Sequence, residues 1–130
     1  MIYLDSAAVV KLVHAESESD ALRAWLDDRV DTAWTSSVLT EVESSRALAR
    51  HAPGAVVRLH SVLDLIDMVD IDAGVRMLAQ TVKPATVRSL DAIHLATALR
   101  ARSPLTAFLT YDKRLADAAR DAGLPVEAPA

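Results

Sequence analysis

The sequence predicts an α/β fold in which helices cover both faces of a parallel sheet. Short apolar runs alternate along the chain with longer stretches of helical apolar spacing. This alternation favours parallel strands, because parallel neighbours need a crossover long enough to hold a helix. The composition agrees: 52% of the residues are apolar and only 4% are aromatic, which suits Ala-, Val- and Leu-rich helices on a short sheet.

Five short runs predict the strands of this sheet. All but the last precede a stretch of helical spacing, so a helix can cross over to the next strand. In chain order, the runs are residues 2–4, 33–35, 68–71 and 105–109, followed by a last edge strand that includes Val126.

Seven helices are predicted from apolar periodicity and from start and stop signals. Ser and Asp are favoured at helix N-caps, and Pro or Gly interrupts a helix. One helix is the run LDAIHLATALRA, which follows Ser89 and ends before Pro104. In chain order, the helices are residues 7–14, from Ser17 or Ser19 to 28, from Ser36 or Ser37 to 50, 54–65, from a cap at Asp72 to 81, 90–101 and 112–122.

The length of 130 residues matches one domain over residues 1–130, since a second core would leave each half marginal. No run approaches the roughly 18 to 20 apolar residues that cross a bilayer, and no signal peptide is expected. Cysteine is absent, which excludes disulfides and a thiolate nucleophile. We therefore expect a cytoplasmic protein without a membrane span.

Four acidic residues are predicted to converge at one edge of the sheet. The functional crevice of an open parallel sheet lies beyond the carboxyl ends of its strands. Asp5 ends the first strand, Asp112 follows the fourth, and Asp91 lies in the first turn of its helix. Glu41 lies in the helix after the second strand, on a partly apolar stripe. Singly, each has a structural explanation, as an N-cap, a helix-dipole partner or a solvated glutamate.

Crowded carboxylates predict a bound divalent metal. At an effective dielectric of about 20, two carboxylates about 4 Å apart repel by roughly 4 kcal/mol. Mg²⁺ or Mn²⁺ takes oxygen ligands and pairs with substrate phosphates, and two such ions can clamp an attacking water and a leaving oxygen. We expect one or two ions. The four histidines do not have zinc-ligand spacing, and HExxH and phosphate-loop motifs are absent.

The charge distribution leaves room for an RNA partner. The net charge of −4 counts against phosphate binding. Residues 1–45 hold nine acids and three Lys or Arg, but residues 73–111 hold five Lys or Arg against Asp91 alone. One part of the surface is therefore expected to be basic.

Four segments resemble the PIN-domain nucleases, and most of all the VapC-type toxins. The resemblance runs from Met1 to about Leu124 and implies a three-layer α/β/α sandwich with a central, mainly parallel twisted sheet. It also implies Mg²⁺- or Mn²⁺-dependent endoribonuclease activity, a homodimer, and inhibition by a small VapB-like antitoxin. The segments are MIYLDSAAVVKL, TSSVLTEVESSRALAR, VRSLDAIHLATAL and FLTYDKRLADAARDAGL.

The resemblance assigns roles to individual residues. Asp5 and Asp91 match the principal metal ligands, and Glu41 and Asp112 complete the pocket or bind a second ion. His94, one turn from Asp91, is expected to be a structural histidine beside the core. The supporting hydroxyls are Ser6 and Thr110, and the arginines that can bind RNA phosphates are Arg46, Arg88 and Arg100.

An acidic pocket invites a cationic side chain, so we expect the basic tail of the antitoxin to block it. Two alternatives remain open. The chain can be a PIN nuclease of RNA processing without a toxin role, or a non-catalytic, metal-stabilised module that binds a basic protein tail.

Overall fold

Five parallel strands form the centre of the computed structural model, which describes residues 1–130. Their order across the sheet is β3-β2-β1-β4-β5, and all neighbours are parallel. All carboxyl ends therefore lie along one edge, as predicted. The strands are β1 (Ile2–Leu4), β2 (Trp34–Ser37), β3 (Ile66–Val69), β4 (Ala107–Leu109) and β5 (Val126–Glu127).

Seven helices cover the sheet in two layers. Two buried apolar clusters lie on opposite faces: the first joins the sheet to α1–α4 and the second joins it to α6 and α7, while α5 packs against α6. The predicted three-layer α/β/α sandwich is confirmed. The helices are α1 (Ser6–Val13), α2 (Ser19–Asp27), α3 (Leu39–His51), α4 (Val56–Leu63), α5 (Ala73–Ala79), α6 (Ser89–Leu99) and α7 (Lys113–Asp121), with a 3-10 turn at Pro53–Ala55. None of them is long and apolar enough to span a membrane.

The alternation of side chains along β1 divides the core between the two faces. Ile2 and Leu4 belong to the first cluster, whereas Tyr3 points to the opposite face, because successive residues of a strand alternate. There the ring of Tyr3 stacks on Phe108 with 5.0 Å between centroids. Asp5 directly follows this fully buried strand, so it lies at the centre of the carboxyl edge of the sheet.

Three aspartates cap the helices that follow strands or loops. The side chains of Asp5, Asp72 and Asp112 each accept a hydrogen bond from the backbone N–H three residues later, at 2.9, 2.8 and 3.0 Å. Each bond satisfies one of the unpaired donors in a first helical turn. The predicted caps at these positions are therefore present.

None of the predicted serines occupies a helix N-cap position, although the Ser37 hydroxyl accepts a hydrogen bond at 3.1 Å from the N–H of Leu39, the first residue of α3. The cap residues of α2, α3 and α6 are Glu18, Val38 and Arg88, and none of them makes a side-chain cap bond. The hydroxyl of Ser19 instead donates to the Lys11 carbonyl. Ser36 lies in β2, where its hydroxyl donates to the Leu4 carbonyl of the neighbouring strand. Carbonyls eight and 32 positions away in the chain thus bind the hydroxyls of Ser19 and Ser36 that local capping would have used.

Strand pairing also moves several predicted boundaries. β2 extends to Ser37 rather than ending at residue 35, and β3 begins at Ile66 rather than at residue 68. These two strands pair over four successive positions, from Trp34 with Ile66 to Ser37 with Val69. Backbone pairing with a neighbour, which local apolarity does not report, sets these limits.

Candidate active site

The carboxyl edge of β1 and β4 brings three of the four predicted acids together. Asp5 follows β1, Asp112 caps the helix after β4, and Asp91 lies in the first turn of α6. Burial is the largest cause of the raised pKa of Asp5 and of Asp91, and the charge of Asp91 adds to the first shift and that of Asp112 to the second. These carboxylates are therefore close enough to repel one another.

Asp5 is the buried member of the group, with only 5% of its surface exposed. Burial raises the pKa of its carboxyl above the ordinary value, because desolvation disfavours the charged form. The Thr110 hydroxyl and the Ala8 N–H act in the opposite direction and lower that pKa. Thr110 is itself fully buried and accepts a hydrogen bond from the Asp112 N–H at 3.2 Å, so it lies between the two acids.

Asp91 is half-buried and faces several charges. Burial, Asp112 and Glu43 raise the pKa of its carboxyl, whereas His94 and Arg88 lower it. With a neutral His94 ring, Asp91, Asp112 and Glu43 bring three negative charges against the one positive charge of Arg88. The edge of the sheet therefore carries excess negative charge.

The glutamate at this edge is Glu43, not the predicted Glu41. Glu41 is exposed and makes neither a side-chain hydrogen bond nor an ion pair. Glu43 reaches inward, and its Oε1 lies 2.6 Å from Nε2 of His94. Because an α-helix turns about 100° per residue, side chains two positions apart leave it about 200° apart. Only one of the two glutamates can face the acids.

Sequence spacing did not separate these glutamates. Glu41 stands three residues before the buried Ser44 and seven before the buried Leu48, while Glu43 stands three after the buried Thr40. By periodicity, the two glutamates therefore border the buried stripe of α3 on its opposite edges, and spacing alone does not show which edge faces the acids. The contact with His94, 51 positions away in the chain, identifies Glu43 as the glutamate that faces the site.

His94 is buried at 1% exposure, in agreement with its predicted structural role. Its Nδ1 lies 2.7 Å from the Tyr3 hydroxyl oxygen, and its ring meets that of Tyr3 edge to face. When protonated, the ring would also lower the pKa of both Asp5 and Asp91. His94 is thus a buried neighbour of Asp5, Asp91 and Glu43.

The predicted hydroxyl and arginine positions divide between the site and other surfaces. Ser6 begins α1 next to Asp5 and is partly exposed. Arg88 precedes α6 and lowers the pKa of Asp91, and Arg46 is exposed one turn after Glu43. Arg100 does not belong here: it ends α6, about 13 Å along the helix from Asp91, and its guanidinium lies against Gly74.

The donor set fits a hard divalent cation. All of its ligating atoms are carboxylate oxygens, the type that Mg²⁺ and Mn²⁺ prefer, and the acids raise one another's pKa as uncompensated like charges do. No three His, Asp or Glu side chains are already arranged in metal-binding geometry. The carboxylates would therefore have to draw together around a cation.

Comparison with known proteins identifies relatives along almost the whole chain. The family model described as the PIN domain matches residues 2–121. Ribonuclease VapC35 of Mycobacterium tuberculosis is 51% identical over 131 residues, which cover 99% of this chain and 97% of the relative.

Solved structures share the fold at low identity. VapC20 of Mycobacterium tuberculosis, described as a sarcin-ricin loop cleaving toxin, superposes with a TM-score of 0.76 at 13% identity, covering 99% and 100% of the two chains. VapBC2 from Rickettsia felis, bound to a DNA fragment from its promoter, gives 0.72 at 15% identity and covers all of both chains. The fold is thus that of these PIN-domain proteins.

Replacing Asp5 by Asn is expected to stabilise the metal-free protein near neutral pH. A carboxyl whose pKa is raised on folding holds its proton more tightly in the folded state than in the unfolded state. Its contribution to the free energy of unfolding is therefore most favourable below the ordinary pKa of 3.8. That contribution is lost as the pH rises through the pKa of the folded state. Asn removes the charge and still caps a helix. Urea unfolding in EDTA, from pH 3.5 to 8, measures the difference between Asp5→Asn and wild type.

The matched control is Asp72→Asn, which changes a capping aspartate of α5 with the same bond geometry. The stability gain of Asp5→Asn over wild type should grow with pH. A stability gain that stays constant across this range, or a loss of stability at pH 7, would contradict the conclusion that burial disfavours the charged form of Asp5.

Proposed function

Because the chain belongs to the PIN-domain family, and within it to the VapC-type toxin ribonucleases, we propose that it is a metal-dependent endoribonuclease acting as the toxin of a toxin–antitoxin pair. The observation that carries the proposal is the convergence of Asp5, Asp91 and Asp112 with Glu43 at one sheet edge. The 51% identity with Ribonuclease VapC35 supports RNA as the substrate.

We propose that Asp5 and Asp91 hold the principal Mg²⁺ or Mn²⁺ ion, and that Glu43 and Asp112 complete the pocket or share a second ion. When bound, such an ion would offset the negative charge, orient a phosphodiester group and lower the pKa of an attacking water. Without a cation, the acids would repel RNA phosphates.

The residues of this chain would orient the ligands and the substrate. The Asp5 carboxylate is held by the Ala8 N–H, and Thr110 interacts with it from the end of β4, so one side of the pocket is rigid. Asp91 is only half-buried, which leaves its carboxylate open to solvent and to a substrate. Arg88 and Arg46 are exposed cations near the pocket that could bind flanking phosphates.

Cleavage assays on paired variants test the acids. Asp5→Asn and Asp91→Asn are expected to abolish RNA cleavage with the fold intact, and Glu43→Gln to lower the initial rate at least about tenfold. Glu41→Gln, its matched control two residues away, should cleave at the wild-type rate because its side chain is exposed. Circular dichroism checks folding. Loss of activity in Glu41→Gln but not in Glu43→Gln would reverse the assignment.

Thermal unfolding tests the cation. Millimolar Mn²⁺ is expected to raise the melting temperature of the wild type, since a ligand that binds only the folded state adds about 2.7 kcal/mol at a hundredfold excess over its dissociation constant. Asp91→Asn should show a much smaller rise. An unchanged melting temperature in the wild type would remove the metal site.

The antitoxin part of the proposal follows from electrostatics. An acidic, half-buried pocket suits an Arg or Lys side chain, and Arg can bind a carboxylate through two parallel hydrogen bonds. Among the structural relatives, VapBC2 has the same fold, which supports a VapB-like partner. The proposal also includes a homodimeric toxin, which light scattering of the free chain would reveal.

Neutralising the basic residues in the tail of the cognate antitoxin is expected to weaken the complex and restore RNA cleavage, because the pocket would lose its cationic occupant. Calorimetric titration measures the affinity, and the cleavage rate of the mixture measures inhibition. An altered tail that binds and inhibits as tightly as the original would refute this mode of inhibition.

A further inference from the structure

A buried hydrogen-bond chain runs from Tyr3 through His94 to Glu43. The Tyr3 hydroxyl oxygen lies 2.7 Å from Nδ1 of His94, and Nε2 of the same ring lies 2.6 Å from Oε1 of Glu43. The three residues belong to β1, α6 and α3. The chain therefore links helices from opposite layers at the carboxyl edge of the sheet.

Packing holds the orientation of the His94 ring. Tyr3 and His94 are 0% and 1% exposed, and Tyr3 lies flat against Phe108 while it meets His94 edge to face at 5.9 Å between centroids. No buried side-chain polar atom is without a partner. Rotating the imidazole would break both hydrogen bonds and leave buried polar groups unpaired, which is costly.

The hydrogen bonds assign the ring proton. A tyrosine hydroxyl carries its proton at neutral pH, so with a neutral ring this group donates to Nδ1. Nδ1 is then an acceptor, and the proton of the neutral ring lies on Nε2, from which it is donated to the Glu43 carboxylate. Tyr3 thus selects the tautomer that can hold Glu43.

We infer that His94 is a positioning residue that, fixed by Tyr3, holds the Glu43 carboxylate beside Asp91. The inference rests on the proposed metal-dependent function of the site. The Glu43 side chain is 23% exposed, and repulsion from the other acids would turn it towards solvent without this bond. His94 itself is too buried to contact RNA, and it acts through the ligand that it orients.

Calorimetric titration with Mn²⁺ alone tests this role in a double-mutant cycle. His94→Leu and Glu43→Ala are each expected to weaken Mn²⁺ binding by about 10- to 100-fold. The double variant should bind no more weakly than Glu43→Ala, because His94 acts only through Glu43. His94→Gln, which keeps an N–H donor near Nε2, should recover part of the affinity.

Tyr3→Phe removes one oxygen atom and keeps the stack on Phe108, so it tests the other end of the chain. We expect it to weaken Mn²⁺ binding and to shift the ring proton between the two nitrogens, as measured by imidazole ¹⁵N chemical shifts. The controls are Tyr111→Phe, whose hydroxyl donates to Pro129 instead, and His60→Leu on the exposed surface of α4. Both controls should bind Mn²⁺ like the wild type.

Unchanged affinity in His94→Leu or Tyr3→Phe, additive losses in the double variant, or a wild-type ring protonated on Nδ1 would overturn the inference. If His94→Leu does not fold, Tyr3→Phe, His94→Gln and the ¹⁵N shifts decide. If the wild type binds Mn²⁺ but cleaves no RNA, the proposed function is refuted. The double-mutant cycle would still test whether His94 positions Glu43. A wild type that binds no Mn²⁺ would refute both.

Discussion

The burial of the Asp5 carboxylate at the carboxyl end of the central strand is the constraint on which the site depends. A charged group with 5% exposure is costly unless it is hydrogen-bonded or paired. The Ala8 N–H at the start of α1 provides one bond, and the Thr110 hydroxyl lowers the pKa of the carboxyl from the neighbouring strand. The side chain that caps α1 is thus also the one proposed to anchor the metal pocket.

The other two aspartates at this edge also lie at helix N-termini. Asp112 caps α7, and Asp91 occupies the first turn of α6, where the positive end of the helix dipole favours a carboxylate. Three helix N-termini therefore offset part of the charge that three acids bring together. Burial first, and the charges of neighbouring acids second, still raise the pKa values of Asp5 and Asp91, which is the cost expected where function opposes stability.

The sheet could be predicted because its signals are local. Each strand is a short apolar run, and each intervening helix has its own periodicity and its own stop signals, so their alternation implies parallel pairing. Capping aspartates were predictable for the same reason. The serine caps failed because Ser19 and Ser36 found partners distant in the chain, and the limits of β2 and β3 followed their pairing with each other.

The sequence by itself determined the α/β architecture and the positions of Asp5, Asp91 and Asp112, since a residue that follows a strand or opens a helix lies at a known edge of a parallel sheet. Only the tertiary structure decided between Glu41 and Glu43, removed Arg100 from the pocket and joined Tyr3 to His94. The physical reason is that helical periodicity fixes which residues share a face, whereas the partner opposite that face is set by packing between elements far apart in the chain.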